Sequence, residues 1–152
     1  MGIAEALTGQ VLRLHQRLYV ASDGRAGHGM LGVSTLLLRT TGRRSGLTRT
    51  NALVYARDGE DYLVVASNGG ADQAPAWLHN IRANADVEVQ VGRGRRRGVA
   101  RIVEPSDPDY GPLWRIVNEN NRNRYDGYQR KTMRPIPVIA IRPASSEEPG
   151  TK

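Results

Sequence analysis

Residues Val33 to Ser67 read VSTLLLRTTGRRSGLTRTNALVYARDGEDYLVVAS, and this stretch decides the fold. It holds three strand signals separated only by short turns. Val33–Thr41 carries the run Leu36-Leu37-Leu38 between β-branched flanks, and a short continuous apolar run suits a strand buried on both faces. Gly42–Gly46 is a turn. Thr50–Ala56 is a second strand, ended by Asp58-Gly59, and Tyr62–Ser67 is a third, built on Leu63, Val64 and Val65. Glycine tolerates the positive φ of tight hairpin turns, so the second and third strands are expected to pair as a hairpin. Connections this short favour antiparallel neighbours, because a parallel crossover needs a dozen or more residues.

The same reading extends outward. Asn68-Gly69-Gly70 ends the third strand, and Pro75 opens a helix to about Asn84 with Trp77, Leu78 and Ile81 on one face. Val87, Val89 and Val91 alternate as in a half-buried strand. Gly92–Gly94 turns the chain into a strand from Arg96 to Glu104. Asp107 is expected to cap a second helix, with Leu113, Trp114 and Val117 as its apolar face. Asn118–Arg124 then carries the chain out, and Val138–Ile141 is the last strand, reached through Pro135 and Pro137. Upstream, Leu7, Val11, Leu14 and Leu18 recur at helical spacing, so residues 3–19 form an amphipathic helix that packs on the domain or lies on a membrane surface. Ser22–Gly29 is a glycine-rich loop. The expected fold is mainly β (α+β): a six-stranded antiparallel barrel, closed or split, with three flanking helices. It is one domain over residues 1–143, followed by a disordered tail over 144–152.

Composition agrees with one ordinary core: 152 residues, 39% hydrophobic and 24% charged. The absence of cysteine excludes disulfides, thiolate nucleophiles, iron–sulfur clusters and cysteine-ligated zinc. No stretch approaches the roughly 20 apolar residues of a spanning helix, and the start does not read as a secretory signal, so a cytoplasmic location is expected. His15, His28 and His79 have no ligand spacing, and no metal site is expected.

Charge is more informative. The chain carries 22 Lys+Arg against 15 Asp+Glu, a net of +7. From Gly24 to Arg57 there is no acidic residue, while Arg25, Arg39, Arg43, Arg44, Arg49 and Arg57 all fall there. A window of one sign favours an anionic partner. Its densest part is Thr40-Thr41-Gly42-Arg43-Arg44-Ser45-Gly46 with Arg49. Glycines let backbone amides form an anion-binding nest, and arginine forks match phosphate or carboxylate. A solvated polar hairpin has the same composition, and both readings stand at this point. Ser67-Asn68-Gly69-Gly70, between a strand and a helix, can offer amides to an acceptor or be a plain loop. Tyr125 and Tyr128 can stack on a flat ligand or pack a loop. Arg93, Arg95, Arg96 and Arg97 crowd a hairpin tip without interleaved aromatics, so nucleic acid is not an expected partner.

Taken in order, T-T-G-R-R-S-G-x-x-R-x-N, A-S-N-G-G, P-x-W with N-x-x-x-N after it, and Y-x-x-Y before I-P-V resemble the deazaflavin (F420)-dependent nitroreductase family, the F420H2-dependent reductases of actinobacteria. The resemblance covers residues 36–143. It implies a split β-barrel of the FMN-binding type and a cofactor, coenzyme F420, that is an 8-hydroxy-5-deazaflavin with a phosphodiester and an oligoglutamate tail. It places Arg43, Arg44, Ser45, Gly46 and Arg49 on phosphate and tail. Asn51, Val65, Ala66, Ser67 and Asn68 fall along the ring, with Ala76 and the aromatic Trp77 beside it, and Tyr125 and Tyr128 at the substrate pocket. Ser67, Tyr125 and Tyr128 are the implied catalytic groups. The implied reaction is hydride transfer to a small electron-poor acceptor: a quinone, a conjugated enone or lactone, or a nitroaromatic. Asn68 stands where well-known members carry Lys, Thr48 and Ala85 where Pro is common, and Val54 where Tyr can line the pocket. The alternatives are an FMN-dependent reductase or oxidase of the same barrel, and a non-catalytic carrier of deazaflavin or lipid. Homodimerisation and peripheral membrane contact through residues 3–19 stay open.

Overall fold

The computed structural model describes residues 34–145. The helix expected over residues 3–19, the loop over 22–29 and most of the tail lie outside the described residues. The strands are β1 (Thr35–Thr41), β2 (Thr48–Val54), β3 (Ala56–Asp58), β4 (Asp61–Val65), β5 (Asp86–Val91), β6 (Gly94–Val103) and β7 (Val138–Pro143). They form one antiparallel sheet in the order β2-β1-β5-β6-β7-β4-β3. The α-helices among the described residues are α1 (Ala76–Ala83), α2 (Tyr110–Asn120) and α3 (Arg124–Arg130), and Asn68–Gly70 forms a short 3-10 turn.

There are seven strands where six were expected, because the segment Thr50–Ala56 is not one strand. It breaks at Tyr55. β2 pairs with β1, setting Thr35 opposite Val54, while β3 pairs with β4, setting Ala56 opposite Leu63. The hairpin at Asp58-Gly59 forms, with Gly59 at φ +58°, but it uses only the three residues of β3. β2 and β3 are therefore the two opposite edges of the sheet, joined by one residue, and the sheet has to curl until its edges meet. Tyr55 is tied at that junction. Its N–H donates to the Ser34 carbonyl (3.1 Å), its carbonyl accepts from Asn120 Nδ2 (2.9 Å), and its ring lies 5.8 Å from that of Tyr62. Thr50 to Ala56 is strand-compatible throughout, so its pattern does not mark the change of partner.

The curled sheet buries both faces. Leu36, Leu38, Tyr62, Val64, Ala66, Val87, Val89, Ile139 and Ile141 point inward, where α1 packs with Trp77, Leu78 and Ile81. The alternate residues Leu63, Val65, Val103, Val138 and Ala140 point outward against Leu113, Val117 and Tyr125 of α2 and α3. This explains the unbroken run Leu36-Leu37-Leu38, each at 0% exposure: a two-sided strand loses the polar alternation of a one-sided one.

Two expectations about the helices are corrected. Asp109, not Asp107, occupies the N-cap of α2. Asp107 lies two residues earlier, where its carboxylate accepts the Asp109 N–H at 2.8 Å and pairs with Arg101 at 2.8 Å. The Asn118–Arg124 exit is a tight corner leading into α3. Arg122 and Asn123 take φ of +57° and +62°, a region that asparagine tolerates better than most residues. Asn118 holds the corner by donating to Asp126 Oδ2 at 2.8 Å and accepting the Asp126 N–H at 3.2 Å. Among the described residues no helix is long and apolar enough to cross a membrane.

Tyr110 ties α2 to the approach to β7 by donating its hydroxyl to the Ile136 carbonyl at 2.7 Å. Burial, reinforced by Glu104 and Asp126, pushes its pKa up to about 12. An unfolded tyrosine ionises near pH ~10, so between those values the folded state binds more protons and stability falls as pH rises. Urea midpoints measured from about pH 9 to about pH 12 are expected to decline, and Tyr110→Phe to make the decline shallower. An unchanged slope in the variant would remove Tyr110 as a source.

Candidate cofactor site

β1 and β4 run in the same direction in this antiparallel order, so the turn after β1 and the loop after β4 lie at the same end of the barrel. The turn after β1 is closed internally. The Gly42 N–H donates to the Leu47 carbonyl (2.8 Å), Gly46 N–H to the Gly42 carbonyl (2.8 Å) and Leu47 N–H to Ser45 Oγ (3.1 Å). A Cβ at Gly42 would stand 2.6 Å from Ser45 Oγ and 3.1 Å from the Leu47 carbonyl oxygen, so a larger residue would displace the Ser45 hydroxyl from its place in the turn. Arg43 N–H donates to Asn80 Oδ1 (3.1 Å), and Asn80 Nδ2 donates to Thr40 Oγ1 (3.1 Å). The buried Asn80 thus fastens the turn to α1.

With four backbone amides used inside the turn or on Asn80, the nest expected from the glycines is largely occupied, and the arginine side chains are left to meet an anion. Arg43, Arg44 and Arg49 are exposed. Among the described residues none of the three has an ion-pair partner, whereas Arg39, Arg82, Arg101 and Arg142 pair with Glu88, Glu104, Asp107 and Asp61. Arg49 stands opposite Thr40 and Asn51 opposite Leu38. Opposed residues share a face, so Arg49 and the half-buried Asn51 lie on the same side of the sheet as the inward-facing Leu38, with Arg49 exposed near the start of β2.

The loop after β4 is held from the far side. Val65 and Ala66 are buried, and the Ala66 N–H donates to the Pro137 carbonyl at 3.2 Å. Ser67 is 8% exposed, and its hydroxyl has no hydrogen-bond partner among the described residues. Asn68 sits at φ +46° and donates through Nδ2 to the Gln73 carbonyl at 2.9 Å. Gly70, at φ +86°, lies directly under α3: a Cβ there would be 2.7 Å from the Tyr128 carbonyl oxygen. Arg134 reaches the same loop. Its Nε donates to the Ala71 carbonyl (2.9 Å), and its Nη2 to the carbonyls of Ala66 (3.1 Å) and Ser67 (2.9 Å). Burial lowers the Arg134 pKa, and the Asp72 charge opposes that shift. Thr132 Oγ1 donates to Asp72 Oδ1 at 2.8 Å.

The structure therefore brings Ser67 and Asn68 beside α3, which carries Tyr128, and links the arginine turn to α1, which begins with Ala76 and Trp77. Ala76 is exposed. Trp77 is 4% exposed and belongs to the inward core, where it anchors α1. Tyr125 is 5% exposed, packed 6.1 Å from Trp114, and burial pushes its hydroxyl pKa up. Tyr128 is half-buried, edge-on to Tyr125 at 6.0 Å, with Lys131 Nζ 5.9 Å from its ring centre. Asp72, Thr132 and Arg134 belong to no motif of the sequence, and Asn80 stands in one only as the first residue of N-x-x-x-N, without a role. Asn80 is also a polar residue between Leu78 and Ile81 of an apolar face; Arg134 is hidden among the prolines before β7.

Residues 11–143 match the F420H(2)-dependent quinone reductase family. An F420H(2)-dependent quinone reductase of Mycobacterium tuberculosis is 53% identical over 133 residues, covering 87% of this chain and 89% of that protein. The solved structure of an F420-H2 dependent reductase superposes with a TM-score of 0.63 at 34% identity, covering 70% of this chain and 92% of the other. A solved domain-swapped dimer gives a TM-score of 0.66 at 29% identity, covering 92% of this chain and 99% of the other. The curled sheet with its flanking helices is the split β-barrel of the FMN-binding type. The chain belongs to the F420H(2)-dependent quinone reductase family; it is an oxidoreductase, and its cofactor is coenzyme F420.

If Asn80 is what fastens the turn to α1, Asn80→Ala leaves the Arg43 N–H and the Thr40 hydroxyl unpaired. The expected loss is about 1–3 kcal/mol in urea unfolding. Native-state trypsin cleavage after Arg43 and Arg44 is expected to speed up; cleavage at the parental rate would contradict that role.

Proposed function

We propose that this chain reduces a small quinone at the expense of F420H2, with the cofactor's anionic part on Arg43, Arg44 and Arg49 and its ring along the loop after β4. The observation that carries the reading is the cluster of arginines without acidic partners, fixed by Asn80 to the helix that follows that loop. Exposed guanidinium groups suit a phosphodiester and a run of carboxylates, because their forks bind such groups bidentately and without exact depth. Ser45 and Gly46 shape the turn that presents them. Asn51 lies on the inward face near Arg49. Val65 and Ala66 offer backbone to the ring, and Ser67 and Asn68 lie where it ends. Ala76 stands beside it at the start of α1, and Trp77 holds that helix from within.

When bound, F420H2 supplies two electrons as a hydride. The protein's part is orientation and charge placement. The Ser67 hydroxyl, unpartnered and almost buried, donates toward negative charge on the ring or acceptor. Tyr128 donates a hydrogen bond to the acceptor's carbonyl oxygen, and the proton that completes the hydroquinone comes from water. Tyr125 works from behind by fixing the Tyr128 ring. Asn68, neutral where Lys is common, leaves the cationic part of the site on the arginine turn. A homodimer fits the domain-swapped neighbour.

Fluorescence titration with F420, with FMN in parallel, tests the assignment. Arg44→Ala and Arg49→Ala are each expected to weaken F420 binding about tenfold, one charge-assisted contact apiece. Wild-type affinity in both variants, or tight FMN binding with none of F420, would overturn it. Steady-state reduction of a soluble benzoquinone or naphthoquinone tests the acceptor: Tyr128→Phe is expected to lower kcat with F420 affinity unchanged, and unchanged turnover of every quinone tried would remove the role given to Tyr128.

A further inference from the structure

Arg134 lies outside every motif that points to the cofactor, yet it contacts both ends of the loop that would hold the ring. Its guanidinium edge takes three carbonyls at once: Ala66 and Ser67 on Nη2 and Ala71 on Nε. These peptides are trans, as are all those described. In a planar trans peptide the C=O and the following N–H point in opposite directions. Drawing the Ala66 and Ser67 carbonyls toward Arg134 therefore turns the N–H groups of Ser67 and Asn68 away from it. Neither amide has a hydrogen-bond partner among the described residues. Ser67 is buried, and an amide kept from water without a partner is costly; with the amide of the exposed Asn68 turned the same way, the pair is a place for an acceptor atom.

We propose that Arg134 is a positioning residue that sets the Ser67 and Asn68 amides toward the acceptor edge of the deazaflavin ring; the inference rests on assigning this loop to the cofactor. The segment around it serves the same end. Thr132 Oγ1 donates to Asp72 Oδ1 and accepts the Arg134 N–H at 3.3 Å, so the far end of the loop is held by the same three residues of chain. Gln129 of α3 donates through Nε2 to the Arg134 carbonyl at 2.9 Å and accepts the Ile136 N–H at 3.0 Å. α3 also carries Tyr128, and its backbone lies against Gly70. The ring loop and the acceptor wall are thus set relative to each other through Arg134. The requirement is for a fork and not only for charge, since a lysine ammonium is a point donor that cannot match three fixed carbonyls.

Two measurements decide the matter. In the cofactor-free protein, hydrogen exchange at the Gly70 and Ala71 amides reports loop order, because these donate to the Ser67 and Asn68 carbonyls at 2.9 and 3.1 Å. In the presence of F420, fluorescence gives Kd. Arg134→Gln and Arg134→Lys are both expected to speed exchange at these amides and to raise the Kd for F420 about tenfold or more. Wild-type exchange and Kd in Arg134→Gln, a fall in the unfolding midpoint with both unchanged, or full recovery in Arg134→Lys would each overturn the proposal. Should Arg134→Gln fail to fold, Thr132→Val keeps the guanidinium and removes its support; exchange at Ala71 is expected to rise and Kd to increase a few-fold, and wild-type values would count against the proposal. A wild-type protein that does not bind F420 would overturn the cofactor assignment separately, with the exchange comparison still deciding whether Arg134 orders the loop.

Discussion

Tyr55 joins the two edge strands of a seven-stranded sheet, and one residue cannot span an open sheet of that width. Closure follows from chain connectivity. Once the edges meet at Tyr55, the inward face of the sheet becomes an interior that α1 can fill with Trp77, Leu78 and Ile81. The outward face needs its own cover, and α2 and α3 supply it around Leu113, Val117 and Tyr125. The same closure sets the ends of β1 and β4 at one end of the barrel. The candidate site is a consequence of that arrangement: the turn after one strand presents cations, the loop after the other presents a hydroxyl and amides, and a helix from each face meets one of them.

The two halves are tuned differently. In the turn, four amides are taken within it or by Asn80, and the guanidinium groups have no acidic partner among the described residues, which suits a flexible anion of variable length. In the loop, the carbonyls are taken by Arg134 and the outward amides are free among the described residues, which suits a rigid ring. Each half is held by one buried or half-buried polar side chain: Asn80 for the turn, Arg134 for the loop. Neither would touch the cofactor itself, and both act by fixing backbone whose other groups do.

Much of this was legible in the sequence. Leu36-Leu37-Leu38 marked a two-sided strand, Val87, Val89 and Val91 marked β5, and the acid-free window marked an anionic partner. What stayed hidden has physical causes. The split at Tyr55 changes hydrogen-bonding partner without changing residue type. α3 follows two consecutive positive-φ residues, and Asn-rich composition reads equally as an exit loop. Trp77 and Tyr125 are aromatic in motifs that point to a ligand, yet burial gives both to the core, and only Tyr128 stays half-exposed. Asn80 acts through two long-range hydrogen bonds and Arg134 through three, which no local spacing records.

Everything proposed for the site depends on the arginine turn binding the anionic part of coenzyme F420. The most direct test compares the affinity of F420 with that of the 8-hydroxy-5-deazaflavin lacking phosphodiester and glutamates, as a function of salt. F420 is expected to bind more tightly at low salt, with an advantage that shrinks as ionic strength rises and the exposed arginines are screened. Equal affinities that salt does not move would contradict it.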